Sequence, residues 1–126
     1  MKYIFILLFS VNVFILNAQR TIYPSLVKWF TLEEAVKLAE GNPRPIMLDV
    51  YTDWCSWCKF MMTTTFANKA LAEYINNNFY AAKFNAESFD SVVFQGKKYF
   101  NRRIGNRPSH DLAAILLDGK LSYPSL

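Results

Sequence analysis

The chain has 126 residues, which is enough for one domain with a buried core but too short for two. Hydrophobic residues make up 52% of the chain and charged residues 19%, a balance that favours a globular protein over a disordered one. The formal net charge is +4, but the basic residues are scattered rather than clustered, which argues against a nucleic-acid partner.

The start of the chain has the pattern of a secretory signal peptide. Met1–Lys2 is a short positive region, Tyr3–Leu16 is an apolar run, and Ala18 provides the small residue of a cleavage site. The run is shorter than the roughly 20 residues that a helix needs to cross a bilayer, so we expect cleavage rather than a stable membrane anchor. The pattern therefore predicts a signal peptide over 1–18, a domain over 19–126, and export to the periplasm or secretion.

Helix and strand signals alternate after this segment, which predicts an α/β domain. Thr31 and Glu34 form a capping box at the start of a helix over Leu32–Glu40. The nearly continuous apolar run Pro45–Tyr51 predicts a central strand that is covered on both faces. Asp49 is the one charged residue of that strand and needs an explanation.

Further elements are predicted in the rest of the chain. Asn68 and Ser109 are predicted to cap the N-termini of helices, and Gly119 is predicted to end the last helix. Gly96 is predicted to lie in the turn of a hairpin. The predicted elements are helical segments over 55–66 and 68–78, a buried strand over Phe79–Asn85, a surface hairpin over Val92–Phe100, and a helix from Ser109 to Leu116.

The chain contains two cysteines, Cys55 and Cys58, three positions apart. A bridge between them closes a very small loop and adds little stability, so a structural role is a poor explanation for the pair. The pair lies where the predicted strand leads into a helix, and the unpaired N–H groups of a first helical turn stabilise a thiolate. We therefore expect Cys55 to be the exposed nucleophile and Cys58, one turn further, to be the shielded thiol that resolves a mixed disulfide.

A Cys-x-x-Cys pair also occurs in metal sites. Zinc takes four ligands, and His110 is the only imidazole that the chain can add, so we expect no complete zinc site and no metal among the site residues. No bound cofactor is expected either. Soft binding of Cu(I) by the two thiolates stays open as the alternative function, that of a copper-carrying module.

The segment DVYTDWCSWCK, residues 49–59, resembles the active-site segment of the thioredoxin family, in particular that of its exported bacterial members. The resemblance implies a thioredoxin-like fold, with a central mixed sheet flanked by helices, and thiol–disulfide exchange with protein disulfide or dithiol substrates and a redox donor. It also implies that Asp49 is the buried carboxylate that accepts the Cys58 proton, and that Lys83 is the lysine that approaches this acid. For Lys83, a simple charge on an edge strand is the alternative.

The candidate substrate-binding residues are Trp54, Trp57, Tyr123 and Pro124. Each tryptophan directly precedes a cysteine, where it either offers an apolar docking face or packs against the helix end. The family resemblance also implies a cis-proline that faces the thiols and binds the substrate backbone. Pro108 competes for this role, but the residues after it have helical spacing, so the Tyr123–Pro124 bond is predicted to be cis.

Two departures from the family bear on function. Family members continue past the cis-proline with a strand pair and a final helix, so a sequence that ends at Leu126 predicts an incomplete domain with one uncovered sheet edge. Ser56 and Trp57 stand where thioredoxin has Gly-Pro between its cysteines. Because this dipeptide tunes the reduction potential, the sequence leaves reductant and oxidant roles equally open.

Overall fold

The computed structural model describes residues 24–102, 106 and 108–126. The predicted signal peptide lies outside this range. In the described part of the chain, the strands and α-helices follow in the order β1 (Trp29–Phe30), α1 (Leu32–Gly41), β2 (Ile46–Tyr51), α2 (Ser56–Thr63), α3 (Lys69–Asn78), β3 (Tyr80–Asn85), β4 (Val92–Phe94), β5 (Lys97–Tyr99) and α4 (Asp111–Leu116). None of these helices is long and apolar enough to cross a membrane.

The main sheet has the strand order β1-β3-β2, and all three strands are parallel. The central strand is therefore β3, and not β2 as the apolar run of β2 suggested. On its other edge β2 makes an antiparallel bridge, in which Val50 and Ser125 exchange N–H···O bonds of 2.8 and 3.2 Å. Among the described residues, this bridge is the one antiparallel pairing at the edge of the otherwise parallel main sheet. It holds the chain end beside the strand that leads to the cysteines.

The two faces of the sheet carry separate apolar clusters. Val50 of β2 packs in a cluster with α1 and α4, whereas Met47 packs in a second cluster with α2 and α3. Side chains alternate across a strand, so Asp49 shares the face of Met47, and Lys83 shares the face of Ala81, which belongs to the second cluster. The predicted polar residues therefore lie on the face that α2 and α3 cover.

Side-chain caps begin two of the helices as the sequence predicts. Thr31 Oγ1 accepts the N–H of Glu34, and the Glu34 carboxylate accepts the N–H of Thr31, which confirms the capping box of α1. Asn68 accepts the N–H of Leu71 at 3.0 Å and caps α3. These caps use residues within one turn of each other, so the sequence alone identifies them.

The last helix begins differently from the prediction. Its N-cap is His110 and not Ser109, because the Nδ1 of His110 accepts the N–H of Leu112 at 3.2 Å. The ring of His110 is fully buried, packs edge-on against Phe84, and places Nε2 3.1 Å from the carbonyl oxygen of Asp90. With Nδ1 as the acceptor, Nε2 is the protonated nitrogen and donates to that carbonyl. The buried imidazole of His110 thus caps α4 in place of the short polar side chain that usually caps a helix.

The predicted hairpin is formed by β4 and β5. Gln95 and Gly96 turn it with φ angles of 51° and 73°, the left-handed pair that suits the twist of a two-residue hairpin loop. Phe94 packs against the cluster of α1 and α4, and the N–H of Val93 donates to Glu33 of α1 at 2.9 Å. The hairpin is therefore attached to the core and is not only a surface excursion.

Candidate active site

Cys55 and Cys58 are joined by a disulfide at the start of α2, with their Cα atoms 5.3 Å apart. Cys55 is the N-cap residue of the helix, and its N–H bonds the carbonyl oxygen of Thr52 at 3.2 Å. The backbone N–H of Cys58 points at Cys55 Sγ, 3.1 Å away. The first turn of α2 therefore directs a hydrogen-bond donor at the Cys55 sulfur.

The expected difference in exposure between the cysteines is not found. Cys55 is 4% exposed and Cys58 is 3% exposed. Both cysteines are therefore buried in the disulfide form. The two residues differ instead in position, because Cys55 precedes the helix and Cys58 lies inside its first turn. Any distinction between attacking and resolving thiol depends on that position.

Asp49 and Lys83 form an ion pair at the interface of the sheet with α2. Lys83 Nζ is 3.0 Å from Asp49 Oδ2, and Asp49 is 2% exposed. The other carboxylate oxygen, Oδ1, has no hydrogen-bond partner among the described residues. A buried carboxylate oxygen without a donor costs stability. Because Lys83 lies in the central strand β3, the alternative of an edge-strand charge is wrong.

Two aromatic rings also hold the ammonium group of Lys83. Nζ lies 4.3 Å from the ring centroid of Tyr51 and 5.2 Å from that of Trp29. It also lies 3.3 Å from the Sδ atom of Met62 in α2. Met62 follows Cys58 by four positions, so the two share one helix face. The ion pair and Cys58 therefore belong to the same helix–sheet interface.

The tryptophans that precede the two cysteines are both exposed, Trp54 by 53% and Trp57 by 69%. Trp57 packs edge-on against Phe60, one turn further along α2, with ring centroids 5.5 Å apart. Trp54 Nε1 donates to the carboxylate of Glu87 at 3.0 Å. The rings thus have packing partners and still present apolar surface next to the disulfide.

The Tyr123–Pro124 bond is cis, as the sequence predicts. The bridge between Ser125 and Val50 holds this turn beside β2. The ring of Tyr123 meets the ring of Trp54 edge-on, with centroids 6.0 Å apart. The structure therefore brings the cis-proline turn to the segment that precedes the first cysteine, although the two are far apart in the sequence.

Two tyrosines near the site have raised pKa values. Burial is the main cause for Tyr51, and the negative charges of Asp53 and Asp49 raise its pKa further. Burial also raises the pKa of Tyr123, with the charge of Glu87 as the second cause. Both phenols therefore stay protonated further into the alkaline range than a phenol in water.

The sequence reasoning missed three residues that contact the site, namely Tyr51, Trp29 and Glu87. Tyr51 was detectable, because it follows Asp49 by two positions in a strand and therefore shares its face. Trp29 reaches Lys83 from β1, and Glu87 reaches Trp54 from the residues after β3. No local pattern connects either of them to the cysteines.

Within the described residues, no group of three or more His, Cys, Asp or Glu side chains could hold a metal ion. The two cysteine sulfurs are bonded to each other, and both ring nitrogens of His110 are engaged, by Leu112 and by Asp90. His110 therefore has no free nitrogen to offer as a further ligand.

Comparison with known proteins gives relatives that match over part of their length. An uncharacterised protein of Caenorhabditis elegans is 37% identical over 67 residues, which are 52% of this chain and 9% of that protein. The thiol:disulfide interchange protein DsbD of Ralstonia nicotianae is 36% identical over 52 residues, 41% of this chain and 9% of the relative. DsbD of Colwellia psychrerythraea is 29% identical over 76 residues, 60% of this chain and 12% of the relative. The chain thus spans about a tenth of the length of these relatives.

The family model Thioredox_DsbH, described as a protein of unknown function, DUF255, matches residues 14–105. This range covers most of the chain and includes both cysteines, the Asp49–Lys83 pair and all three strands of the main sheet. With its parallel sheet, flanking helices and Cys-x-x-Cys disulfide, the chain belongs to the thioredoxin-like family that this model describes.

Proposed function

We propose that this chain is a thiol–disulfide oxidoreductase that acts outside the cytoplasm on protein disulfides or dithiols. The observation that carries the proposal is the Cys55–Cys58 disulfide at the first turn of α2, next to the helix–sheet interface that contains Asp49 and Lys83. The names of the two DsbD relatives support the same class of reaction.

In the reducing direction, the Cys55 thiolate attacks one sulfur of a substrate disulfide. A bond forms between Cys55 and that sulfur, and the second substrate sulfur leaves as a thiolate. Cys58 then loses its proton and attacks Cys55, which releases the first substrate sulfur and leaves the domain with its own disulfide. A dithiol redox donor reduces that disulfide before the next cycle, and the reverse sequence oxidises a substrate.

The first turn of α2 supports the role of Cys55 as nucleophile. The N–H of Cys58 lies 3.1 Å from Cys55 Sγ in the disulfide, and in the reduced protein the same N–H is placed to donate to a Cys55 thiolate. The positive end of the helix dipole adds to this stabilisation. A thiolate at the N-cap is therefore favoured over one at Cys58, inside the helix.

Asp49 is the group proposed to take the Cys58 proton during resolution. Lys83 binds its Oδ2, which leaves Oδ1 without a donor and available to a proton. Positioned proton acceptors of this kind accelerate a reaction step by roughly a hundredfold or more. Lys83 is the residue that fixes the orientation of the carboxylate.

Trp54, Trp57, Tyr123 and Pro124 are the proposed substrate-binding residues. Both tryptophans are more than half exposed, and the Tyr123 ring packs against Trp54 next to the cis-proline turn. An exposed aromatic surface at a reactive disulfide is suited to the backbone and apolar side chains of another protein. The proposal includes no bound cofactor.

Export is proposed from the pattern of residues 1–18 alone. The mature chain should begin near Gln19, and mass spectrometry of the protein isolated from its host measures this directly. A chain that keeps Met1 in most of the material would contradict export through a cleaved signal peptide.

The proposed chemistry is tested by equilibrating the purified protein with glutathione buffers of graded potential and by measuring exchange with a peptide disulfide. We expect one two-electron transition, and exchange much faster than with an equal concentration of glutathione. Cys55→Ser should abolish both. Exchange no faster than that of glutathione would contradict an oxidoreductase role, and the measured potential assigns the physiological direction.

A further inference from the structure

A small cleft lies between the segment before α2 and the segment before the cis-proline. It has a volume of about 100 Å³ and is lined by Trp54, Glu87, Ser109, Leu121 and Tyr123. A cleft of this size has room for the end of one side chain.

Glu87 supplies the charge of the cleft. One of its carboxylate oxygens accepts the Nε1–H of Trp54 at 3.0 Å. The ion pairs formed within the described residues do not include Glu87, so no cation there neutralises it. The negative charge also reaches Tyr123, where it adds to the effect of burial in raising the pKa of the phenol.

Two aromatic rings form walls beside this carboxylate. Trp54 and Tyr123 meet edge-on, with ring centroids 6.0 Å apart, and Trp54 is more than half exposed. Aromatic faces attract cations and also pack against the methylene stem of a long basic side chain. An acidic side chain would be repelled by Glu87, and an aliphatic one would cover the carboxylate without replacing its water.

We propose that this cleft is a specificity pocket for a basic side chain, Lys or Arg, that lies close to the reacting cysteine of the substrate. The inference rests on the proposed function. Trp54 directly precedes Cys55, and Tyr123 directly precedes Pro124, so a substrate that reacts at the disulfide has neighbouring residues within reach of the cleft. Glu87 is the counter-ion of the bound side chain and also fixes the Trp54 ring.

The test compares peptide disulfides that differ in one residue beside the cysteine, which is Lys, Met or Glu. We expect kcat/KM for the Lys peptide to exceed that for the Glu peptide by roughly three- to tenfold, because the pocket is partly open to water. The positive net charge of the chain would by itself attract the Glu peptide, so a preference for Lys has to come from a local site.

Glu87→Gln is the informative variant, because the amide oxygen still accepts the Trp54 N–H while the charge is gone. We expect it to bring the Lys to Glu ratio close to one. Glu73→Gln is the matched control: it removes an equal charge from the exposed surface of α3, where Glu73 lies 4.0 Å from Lys69, and should keep the wild-type ratio.

The outcomes separate the two proposals. A wild-type ratio near one, or a ratio that Glu87→Gln and Glu73→Gln change equally, would overturn the basic-side-chain pocket. If no peptide reacts at all, the proposed oxidoreductase function is what fails. Should Glu87→Gln not fold, the wild-type protein is measured at rising salt concentration. The Lys to Glu ratio of kcat/KM should then fall towards one as the Debye length shortens from about 10 Å to about 3 Å. A ratio above one that salt does not lower would contradict the pocket.

Discussion

The two sides of the Cys55–Cys58 disulfide are built differently. On the inner side, Asp49 is buried, and the ammonium of Lys83 is held between that carboxylate and two rings from β1 and β2. On the outer side, the rings of Trp54 and Trp57 are more than half exposed. The carboxylate of the inner side is shielded from contact with another chain, whereas the exposed rings of the outer side can touch one. We infer that the inner side governs proton transfer and the outer side governs partner choice.

The largest expected effect comes from the cysteines themselves. Cys55→Ser and Cys58→Ser should both reduce multiple-turnover exchange to background, but only Cys58→Ser should accumulate a mixed disulfide, because its attacking thiol is intact. Non-reducing electrophoresis with mass spectrometry of the adduct measures this. Equal trapping by the two variants would remove the basis for assigning Cys55 as nucleophile.

Asp49→Asn tests the inner side. Resolution of the mixed disulfide should slow by roughly a hundredfold while its formation changes little, since the amide cannot take the Cys58 proton. The variant also leaves the Lys83 charge without its counter-ion, and we expect a loss of about 2 kcal/mol in the free energy of unfolding. Single-turnover kinetics and denaturant unfolding give the two values.

Asp53→Asn is the matched control for Asp49→Asn, because Asp53 is exposed and lies between β2 and Cys55. It should leave the rate of resolution as in the wild type. If both substitutions slowed resolution alike, the effect would be a general one of negative charge near the site, and Asp49 would be a structural group.

Tyr51 tests how the ion pair is held. In the native protein the Lys83 ammonium lies 4.3 Å from the ring centroid of Tyr51. Tyr51→Phe keeps a ring that attracts this ammonium, whereas Tyr51→Leu removes it. The leucine variant should therefore have a free energy of unfolding about 1 kcal/mol lower than the phenylalanine variant. We also expect slower resolution in the leucine variant only. Equal behaviour of the two variants would show that the ring contributes packing and does not position Lys83.

Trp57→Ala tests the outer side. Loss of this exposed ring should raise the KM for a protein disulfide by about fivefold, equivalent to about 1 kcal/mol, while the rate of resolution stays as in the wild type. Tyr74→Ala on α3, which also removes an exposed ring, is the control and should leave KM as it is. A slower resolution step in Trp57→Ala would contradict the separation of the two sides.

The smallest effect is expected from pH. Burial raises the pKa of Tyr51 and of Tyr123 above their usual value of 10.0, so above that pH the unfolded chain loses these protons before the folded one does. The unfolded state then binds fewer protons, and stability falls as pH rises. Denaturant unfolding at a series of alkaline pH values measures this decline in the free energy of unfolding. Tyr51→Phe and Tyr123→Phe should each make the decline with pH less steep. If both variants lose stability with pH as steeply as the wild type, neither phenol is desolvated.

Local patterns predicted most of the elements. The capping box at Thr31, the cap at Asn68 and the Gln95-Gly96 turn involve residues within a few positions of each other, and the structure has all of them. The prediction was wrong at Ser109, because the buried ring of His110 takes over the cap of α4. It also omitted β1, whose two residues, Trp29 and Phe30, are identified as a strand only by pairing with β3.

The sequence by itself determined the reactive pair, its place between a strand and a helix, and the family to which the chain belongs, because these depend on neighbours along the chain. Only the tertiary structure decided that β3 is central and that Lys83 lies opposite Asp49, 34 positions away. It also brought Glu87 to Trp54 across 33 positions and placed Tyr123 against the same ring. Such contacts follow from strand register and from the return of the chain end to β2, and neither leaves a periodic signal in the residues involved.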